Sequence, residues 1–212
     1  MPDVTCADCG AAFTPPAELL ERFPGWTPRT CPSCYRGGST SKRSGDRRRG
    51  SSSRQQLTTA DALALPASGP DSGLFTDGGC VPNPGPGGWG AVYVVDGEIV
   101  DEAHGSDPAT TNNRMELTAL LRGIELVPVG TPCTVYTDSN LTVRTITEWA
   151  AGWEARGWKR RTGAVENVDL VRPLYEAVRS RPELELRWIK AHVGNRWNEY
   201  ADALADRWQV DG

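Results

Sequence analysis

The chain has no long apolar run. Nothing in its 212 residues approaches the roughly 20 consecutive apolar positions needed to cross a bilayer. The start, Met-Pro-Asp-Val-Thr-Cys, also lacks the basic then apolar pattern of a secretory signal. No membrane partner is expected, and the expected setting is cytoplasmic. Lysine is scarce: Arg outnumbers Lys twenty to three, which fits a GC-rich coding sequence better than any mechanism. Net charge is only −4, which alone argues against a polyanionic partner. That average hides two unlike parts, since residues 1–70 carry nine basic and six acidic side chains and residues 71–212 carry fourteen and twenty-one. An acidic domain can still hold a polyanion when metal neutralises part of its charge and its basic groups share a face, so net charge decides little. The length allows one domain of ordinary size and a small appendage.

What is present falls into three segments. Residues 1–36 hold Cys6-Ala-Asp-Cys9 and Cys31-Pro-Ser-Cys34. In a reducing compartment cysteines are more often metal ligands or free thiols than disulfides. Two Cys-x-x-Cys pairs, Cys6 with Cys9 and Cys31 with Cys34, can close a tetrahedral thiolate shell on one structural Zn2+. A redox dithiol or a disulfide pair is the competing reading, which one such pair suits and two at ribbon spacing suit poorly. A module this short cannot build much core, so zinc would supply most of its folding energy.

Residues 37–70 read as a flexible linker, with Lys42, Arg43, Arg47, Arg48, Arg49 and Arg54 at its basic centre. The run either holds phosphates through counterion release or keeps a spacer soluble. Asp61-Ala-Leu-Ala-Leu forms a helical turn or nothing regular. Residues 71–212 have another texture. Leu74–Asp77 reads as a short buried strand, and a Gly/Pro-rich loop is expected over Gly78–Gly88. Trp89–Val95 and Glu98–Ala103 flank Asp96-Gly97, the signature of a type I′ hairpin. The pattern then predicts a helix over Asn113–Val127, a strand over Thr134–Thr137, and helices over Asn140–Trp149 and Val168–Arg179. A strand through Leu184, Leu186 and Trp188 and a last helix over Asn198–Trp208 complete an α/β layered domain.

Four carboxylates stand in distinct settings: Asp77 in Phe-Thr-Asp-Gly-Gly, Glu116 in Asn-Asn-Arg-Met-Glu, Asp138 in Tyr-Thr-Asp-Ser, and Asp202 ten residues after His192. Glu116 is expected in the first turn of a helix capped by Asn112 or Asn113, and Asp202 on a helix face shared with Asn198. Singly, each has a plain explanation as a turn residue, a helix-terminus residue or a solvated charge. In one pocket they would repel and stay partly protonated unless divalent cations sat between them. Oxygen-only ligation suits Mg2+ or Mn2+. Two such ions roughly 3.5–4 Å apart can activate a water and stabilise a departing oxygen in phosphodiester cleavage.

The motifs continue in a fixed order: Thr76-Asp77-Gly78-Gly79-Cys80, Asn83-Pro84-Gly85-Pro86-Gly87-Gly88-Trp89-Gly90, Thr111-Asn112-Asn113-Arg114-Met115-Glu116-Leu117, Tyr136-Thr137-Asp138-Ser139, Gly157-Trp158-Lys159, Asn167-Val168-Asp169-Leu170, Trp188-Ile189-Lys190-Ala191-His192-Val193-Gly194, then Asn198-Glu199 and Asp202. Over residues 74 to about 208 the chain closely resembles ribonuclease H of type I. The resemblance implies a mixed five-stranded sheet flanked by helices, and hydrolysis of the RNA strand of an RNA–DNA hybrid with two divalent ions, leaving 3′-hydroxyl and 5′-phosphate ends. Asp77, Glu116, Asp138 and Asp202 would ligate the metals, and His192, on the loop before the last helix, would assist proton transfer or product release. His104 has no such setting.

A protein can test the two strands separately, because only the RNA strand offers 2′-hydroxyls in the minor groove. Asn83, Asn112 and Asn113 match groove-contacting positions of the family, with Asn140 in similar work, and an amide can both donate and accept there. Cys80 would lie near the same groove or be a buried thiol. Thr111 and Asn167 match a pocket for a DNA phosphate. Trp149, Trp153 and Trp158, with Arg156, Lys159, Arg160 and Arg161, lie in a segment like the family's basic protrusion. Trp149 is the candidate contact to deoxyribose, although Trp149 and Trp153, one helical turn apart, also suit core packing.

Three departures bear on affinity: Ala109 where relatives often have Arg, Leu141 where an aromatic is common, and Glu154-Ala155 in the protrusion. The alternative to an enzyme is a non-catalytic hybrid-binding or scaffold protein on the same fold; a third reading keeps the fold and changes the duplex. The catalytic domain is expected to be monomeric. The N-terminal module would hold either nucleic acid, through Phe13, Arg22, Trp26 and Arg29, or a protein partner.

Overall fold

The computed structural model describes residues 3–6, 10–15, 17, 21, 31, 57–191 and 193–209. Near the N terminus β1 (Val4–Thr5) pairs antiparallel with β2 (Ala12–Phe13). Helix α1 (Thr59–Ala64) precedes an antiparallel meander of β3 (Gly73–Cys80), β4 (Gly85–Val95) and β5 (Glu98–Thr110). Then come α2 (Asn112–Ile124) and β6 (Cys133–Thr137). Helix α3 (Asn140–Arg144) runs through a π-helical turn, Thr145–Trp149, into α4 (Ala150–Glu154). A small hairpin of β7 (Lys159–Arg160) and β8 (Gly163–Ala164) leads to α5 (Val168–Ser180), β9 (Leu184–Trp188), α6 (Arg196–Ala205) and a 3-10 turn, Arg207–Gln209.

Five strands form one sheet in the order β5-β4-β3-β6-β9. The β3–β4 and β4–β5 pairs are antiparallel, and the β3–β6 and β6–β9 pairs are parallel. The sheet is therefore mixed and five-stranded, as expected. Consecutive residues of a strand point to opposite faces, so Leu74 and Phe75 begin two cores. On one side Leu74, Tyr93 and Val135 pack with Leu117, Leu120 and Ile124 of α2 and Val171 and Leu174 of α5. On the other, Phe75, Val92, Val94 and Tyr136 pack with Trp197, Tyr200, Ala201 and Leu204 of α6 and Ala62 of α1. Phe75 and Tyr136 stack with ring centroids 4.9 Å apart.

Local chemistry explains both agreements and corrections. Asp96 and Gly97 take φ of 52° and 78°, the left-handed pair that a type I′ turn needs. The Gly/Pro-rich loop expected over Gly78–Gly88 shrinks to residues 81–84, because β3 and β4 stay paired out to Cys80 and Gly87. Neither Asn112 nor Asn113 caps α2: the Thr111 hydroxyl accepts from the Arg114 N–H, so Glu116 falls in the second turn, not the first. The helix expected over Asn140–Trp149 changes hydrogen bonding at Thr145. The last helix starts earlier, at Arg196, behind an Asn195 cap.

Part of the segment read as linker is folded. Thr58 and Asp61 form a reciprocal capping box for α1, and Ala62 is fully buried against α6. The Arg196 guanidinium grips the Leu65 carbonyl, with Nε 3.0 Å away. Among the described residues no helix is long and apolar enough to cross a membrane.

Candidate active site

Two parallel neighbours set the floor of the site. Thr76 on β3 is in register with Thr137 on β6, so the next residue of each chain segment, Asp77 and Asp138, lies beside the other. Two glycines let helices approach this floor. A Cβ on Gly78 would lie 2.3 Å from the Met115 carbonyl carbon and 2.6 Å from the Glu116 nitrogen, so only glycine lets β3 touch α2 at Glu116. Gly90, paired with Asp77 across the sheet, would place a Cβ 2.5 Å from the Ala201 oxygen and 2.7 Å from the Ala205 nitrogen. That contact lowers α6 onto β4 and brings Asp202 to Asp77.

The electrostatics follow from that crowding. The Asp77 carboxyl is held well above the usual carboxylate range by burial first, then by the charges of Asp138 and Asp202 and a hydrogen bond with Asp202. The Gly78 N–H donates to Asp77 Oδ1 at 2.6 Å and only partly opposes this. Glu116 is raised too, by burial and by the Asp138 charge, while the hydroxyls of Ser139 and Thr142 donate to its Oε2 and pull the other way. All four carboxylate residues keep some contact with solvent. Mutually repelling oxygen donors on rigid elements are the donor chemistry that a hard divalent cation fits. The side chains are not a ready-made shell: among the described residues no group of three or more His, Cys, Asp or Glu is arranged to hold an ion. His192 lies outside the described residues.

Beside the acids lies a row of oriented amides. Asn112 Oδ1 accepts the Cys80 N–H at 2.8 Å, and Asn83 Oδ1 accepts the Asn112 N–H and the Cys80 thiol, both at 3.4 Å. Burial pushes the Cys80 thiol up to about 11, so it is a neutral buried donor. Asn167 takes left-handed backbone, φ 50°, and its Oδ1 accepts from Arg114, which also forms a two-pronged pair with Asp169. Asn83, Thr111, Asn112, Asn113, Glu166 and Asn167 line one cavity of about 540 Å³. Asn140 is exposed at the start of α3.

A second cavity shares Asn113, Glu166 and Asn167 and adds Leu141, Trp149, Trp153 and Arg160. Trp149 is half-buried, sits at the end of the π-helical turn and carries the Arg144 guanidinium 4.8 Å from its ring centre. Trp153 and Trp158 instead pack against the core, Trp158 edge-on to Tyr175. In the N-terminal part, the buried Cys31 N–H donates to Sγ of the buried Cys6 at 3.2 Å; Cys9 and Cys34 lie outside the described residues.

Several contributors escaped the sequence reading. Ser139 and Thr142 fix Glu116, and their only signal was a position just after Asp138. The Trp188 indole is 47% exposed and donates to the Asp138 carbonyl at 2.9 Å. Asn198, one turn before Asp202, is buried with neither amide atom hydrogen-bonded.

The sequence model of one family, RNase H, matches residues 70–209. A "Ribonuclease HI" of Caulobacter vibrioides is 47% identical over 136 residues, covering 63% of this chain and 89% of that protein. A "Ribonuclease H" of Methylorubrum extorquens is 46% identical over 132 residues, 62% of this chain and 57% of the relative, so this chain spans little more than half of that protein's length. A crystal structure described as a type 1 RNase H with the type 2 active-site motif is similar at TM-score 0.53 and 34% identity, over 66% of this chain and 72% of that one. A foamy viral protease–reverse transcriptase in complex with RNA/DNA hybrid shares the fold at TM-score 0.59 and 16% identity, over 69% of this chain and 21% of that one.

Two outcomes are expected. Gly78→Ala should cost about 2–3 kcal/mol and most of any activity, whereas Gly79→Ala, whose Cβ meets nothing within 4 Å, should cost little; equal effects on urea unfolding would refute the close-approach argument. Asp77 favours its protonated form in the folded state, so the stability it contributes is present at low pH and lost as pH rises from the ordinary Asp range through the raised value. In chelator at neutral pH, Asp77→Asn should therefore raise Tm by about 3–6 °C and flatten that pH dependence, and an unshifted Tm would mean that the acids do not strain the fold.

Proposed function

This chain belongs to the RNase H family, and on that premise we propose that it is an endoribonuclease hydrolysing the RNA strand of RNA–DNA hybrids, with 3′-hydroxyl and 5′-phosphate products. One observation carries the reading: β3, α2, β6 and α6 each bring one carboxylate, Asp77, Glu116, Asp138 and Asp202, to the same end of the sheet beside a groove lined with amides. Two divalent ions, Mg2+ or Mn2+, would be held by these four residues and, when bound, would supply an activated water and charge stabilisation at the departing oxygen.

The remaining work belongs to the protein's own groups. Ser139 and Thr142 hold the Glu116 carboxylate by one oxygen and leave the other to the site. Asn83 and Asn112 have their carbonyl oxygens engaged, so their NH2 groups are left to donate to acceptors in the minor groove, with Asn113 and Asn140 beside them. Trp149 offers a half-exposed ring for a sugar of the DNA strand. His192 would move a proton near Asp202 or speed product departure. Support for the hybrid as substrate comes from relatives named ribonuclease H and from the shared fold of a viral enzyme solved with RNA/DNA hybrid. The non-catalytic reading is weaker, because a scaffold gains nothing from carboxylates whose repulsion strains it.

We also propose that Cys6, Cys9, Cys31 and Cys34 hold one structural Zn2+. The support is that Cys6 and Cys31 meet although twenty-four residues separate them, with a backbone N–H given to a cysteine sulfur as metal-bound thiolates commonly receive.

Matched labelled RNA–DNA, RNA–RNA and DNA–DNA duplexes with Mg2+ or Mn2+ test the enzyme. RNA cleavage confined to the hybrid and reduced at least about 1000-fold by Asp138→Asn is the expected result. Binding without cleavage would favour the scaffold, and cleavage of another duplex would change the substrate. For the module, full-length protein should contain one zinc per chain by elemental analysis, lost in Cys6→Ser; zinc-free protein with an unaltered spectrum would end that proposal.

A further inference from the structure

We infer that Arg160 and Glu166 form a charge gate: when a backbone phosphate of the DNA strand enters the cavity bounded by Thr111 and Asn167, Glu166 releases Arg160, and Arg160 becomes the cation that holds the phosphate. The source of the phosphate rests on the hybrid-nuclease reading above; the gate itself rests on the geometry of the cavity.

Three of the cavity's amides are turned the same way. Asn83, Asn112 and Asn167 each have Oδ1 occupied by a donor, so their NH2 groups are free to face an incoming ligand. With the Thr111 side chain and Asn113, this wall favours a ligand rich in acceptor oxygens. The one charged residue among those lining the cavity is Glu166, which has the wrong sign for such a ligand. Arg160 is bound to it, Nη2 to Oε1 at 2.8 Å.

Arg160 is also the cation best placed to change partners. It lines the adjoining cavity, which shares Asn113, Glu166 and Asn167 as a common wall. Its Nε stays anchored on the Ala164 carbonyl at 2.9 Å, leaving the outer nitrogens to exchange a carboxylate for a phosphate. The ion pair is solvent-exposed, with side chains 37% and 75% accessible, and such pairs are weak and easily broken. Arg114 touches the wall through the Asn167 oxygen, but both of its outer nitrogens are also held by Asp169 and it is only 20% accessible, so it stays behind the wall. Ala109 brings no charge. No cation is thus among the residues lining the cavity at rest, and it gains one when Glu166 lets go.

Steady-state cleavage of labelled hybrid by the full chain at two salt concentrations tests the gate. Arg160→Ala should raise KM about tenfold, with the effect in KM and not in kcat, and should reduce the salt dependence by about one phosphate contact. Glu166→Gln should lower KM about threefold or more, and that gain should shrink in the Arg160→Ala background. Melting temperatures of both single variants should stay near the parent's. A higher KM for Glu166→Gln, or a joint loss of kcat and Tm for Arg160→Ala, would show that the pair merely pins the β7–β8 hairpin. If the unaltered protein cleaves hybrid and both variants match it, the gate falls and the nuclease reading stands; if the unaltered protein does not cleave hybrid at all, the nuclease reading falls and takes the gate with it.

Discussion

Close approach of backbone to backbone at Gly78 and Gly90 is the constraint on which the site depends. Asp77 is paired across the sheet with Gly90 and followed in its own strand by Gly78, and each of these glycines is where a helix comes down on the sheet. Any side chain at Gly78 would drive α2 away and Glu116 with it; any at Gly90 would lift α6 and Asp202. The four acids are thus gathered by contacts that contain no acid. Separating the gathering device from the chemistry explains how a cluster with net repulsion can persist in a folded chain: packing on both faces of the sheet outweighs it.

The repulsion is also informative about function. Burying and crowding carboxylates without a cation makes the folded state favour protonated Asp77 and Glu116, which weakens the metal-free protein at neutral pH. A purely structural role would be served as well by neutral groups, because carboxylates crowded together cost stability that neutral side chains do not. Strain kept at one end of a well-packed sheet is the trade expected of a catalytic centre.

Much of this was legible from residue order alone. The type I′ hairpin, the order of strands and helices, and the identity of the four acids follow from turn chemistry and from motifs that repeat a known family's spacing. What was not legible depended on three-dimensional competition. Thr111 won the cap of α2, its hydroxyl accepting the Arg114 N–H, while the Asn112 side-chain oxygen is turned to the Cys80 N–H at the end of β3. Ala62 looked like part of a spacer, since a six-residue helix shows no periodicity until α6 is there to bury it. The contact of the Trp188 indole N–H with the Asp138 carbonyl joins the ends of two neighbouring strands, which alternation along one strand does not reveal. The π-helical turn before Trp149 leaves no mark in hydrophobic spacing at all.

On the proposed function, the same oriented amides would connect affinity to catalysis. An Asn on a groove wall is ambiguous until something fixes which end faces the ligand, and here the fixing groups are the Cys80 N–H, the Asn112 N–H and Arg114. All three belong to β3 or to α2, the elements that also carry Asp77 and Glu116. A shift that opened β3 from α2 would therefore unfix the donors and scatter the acids together. On the proposed function, binding and chemistry would share one rigid seam, so a duplex seated against the amides would also meet the carboxylates in their gathered arrangement. Discrimination among duplexes would then turn on whether the strand over the amides can fill donors whose directions the fold has already chosen.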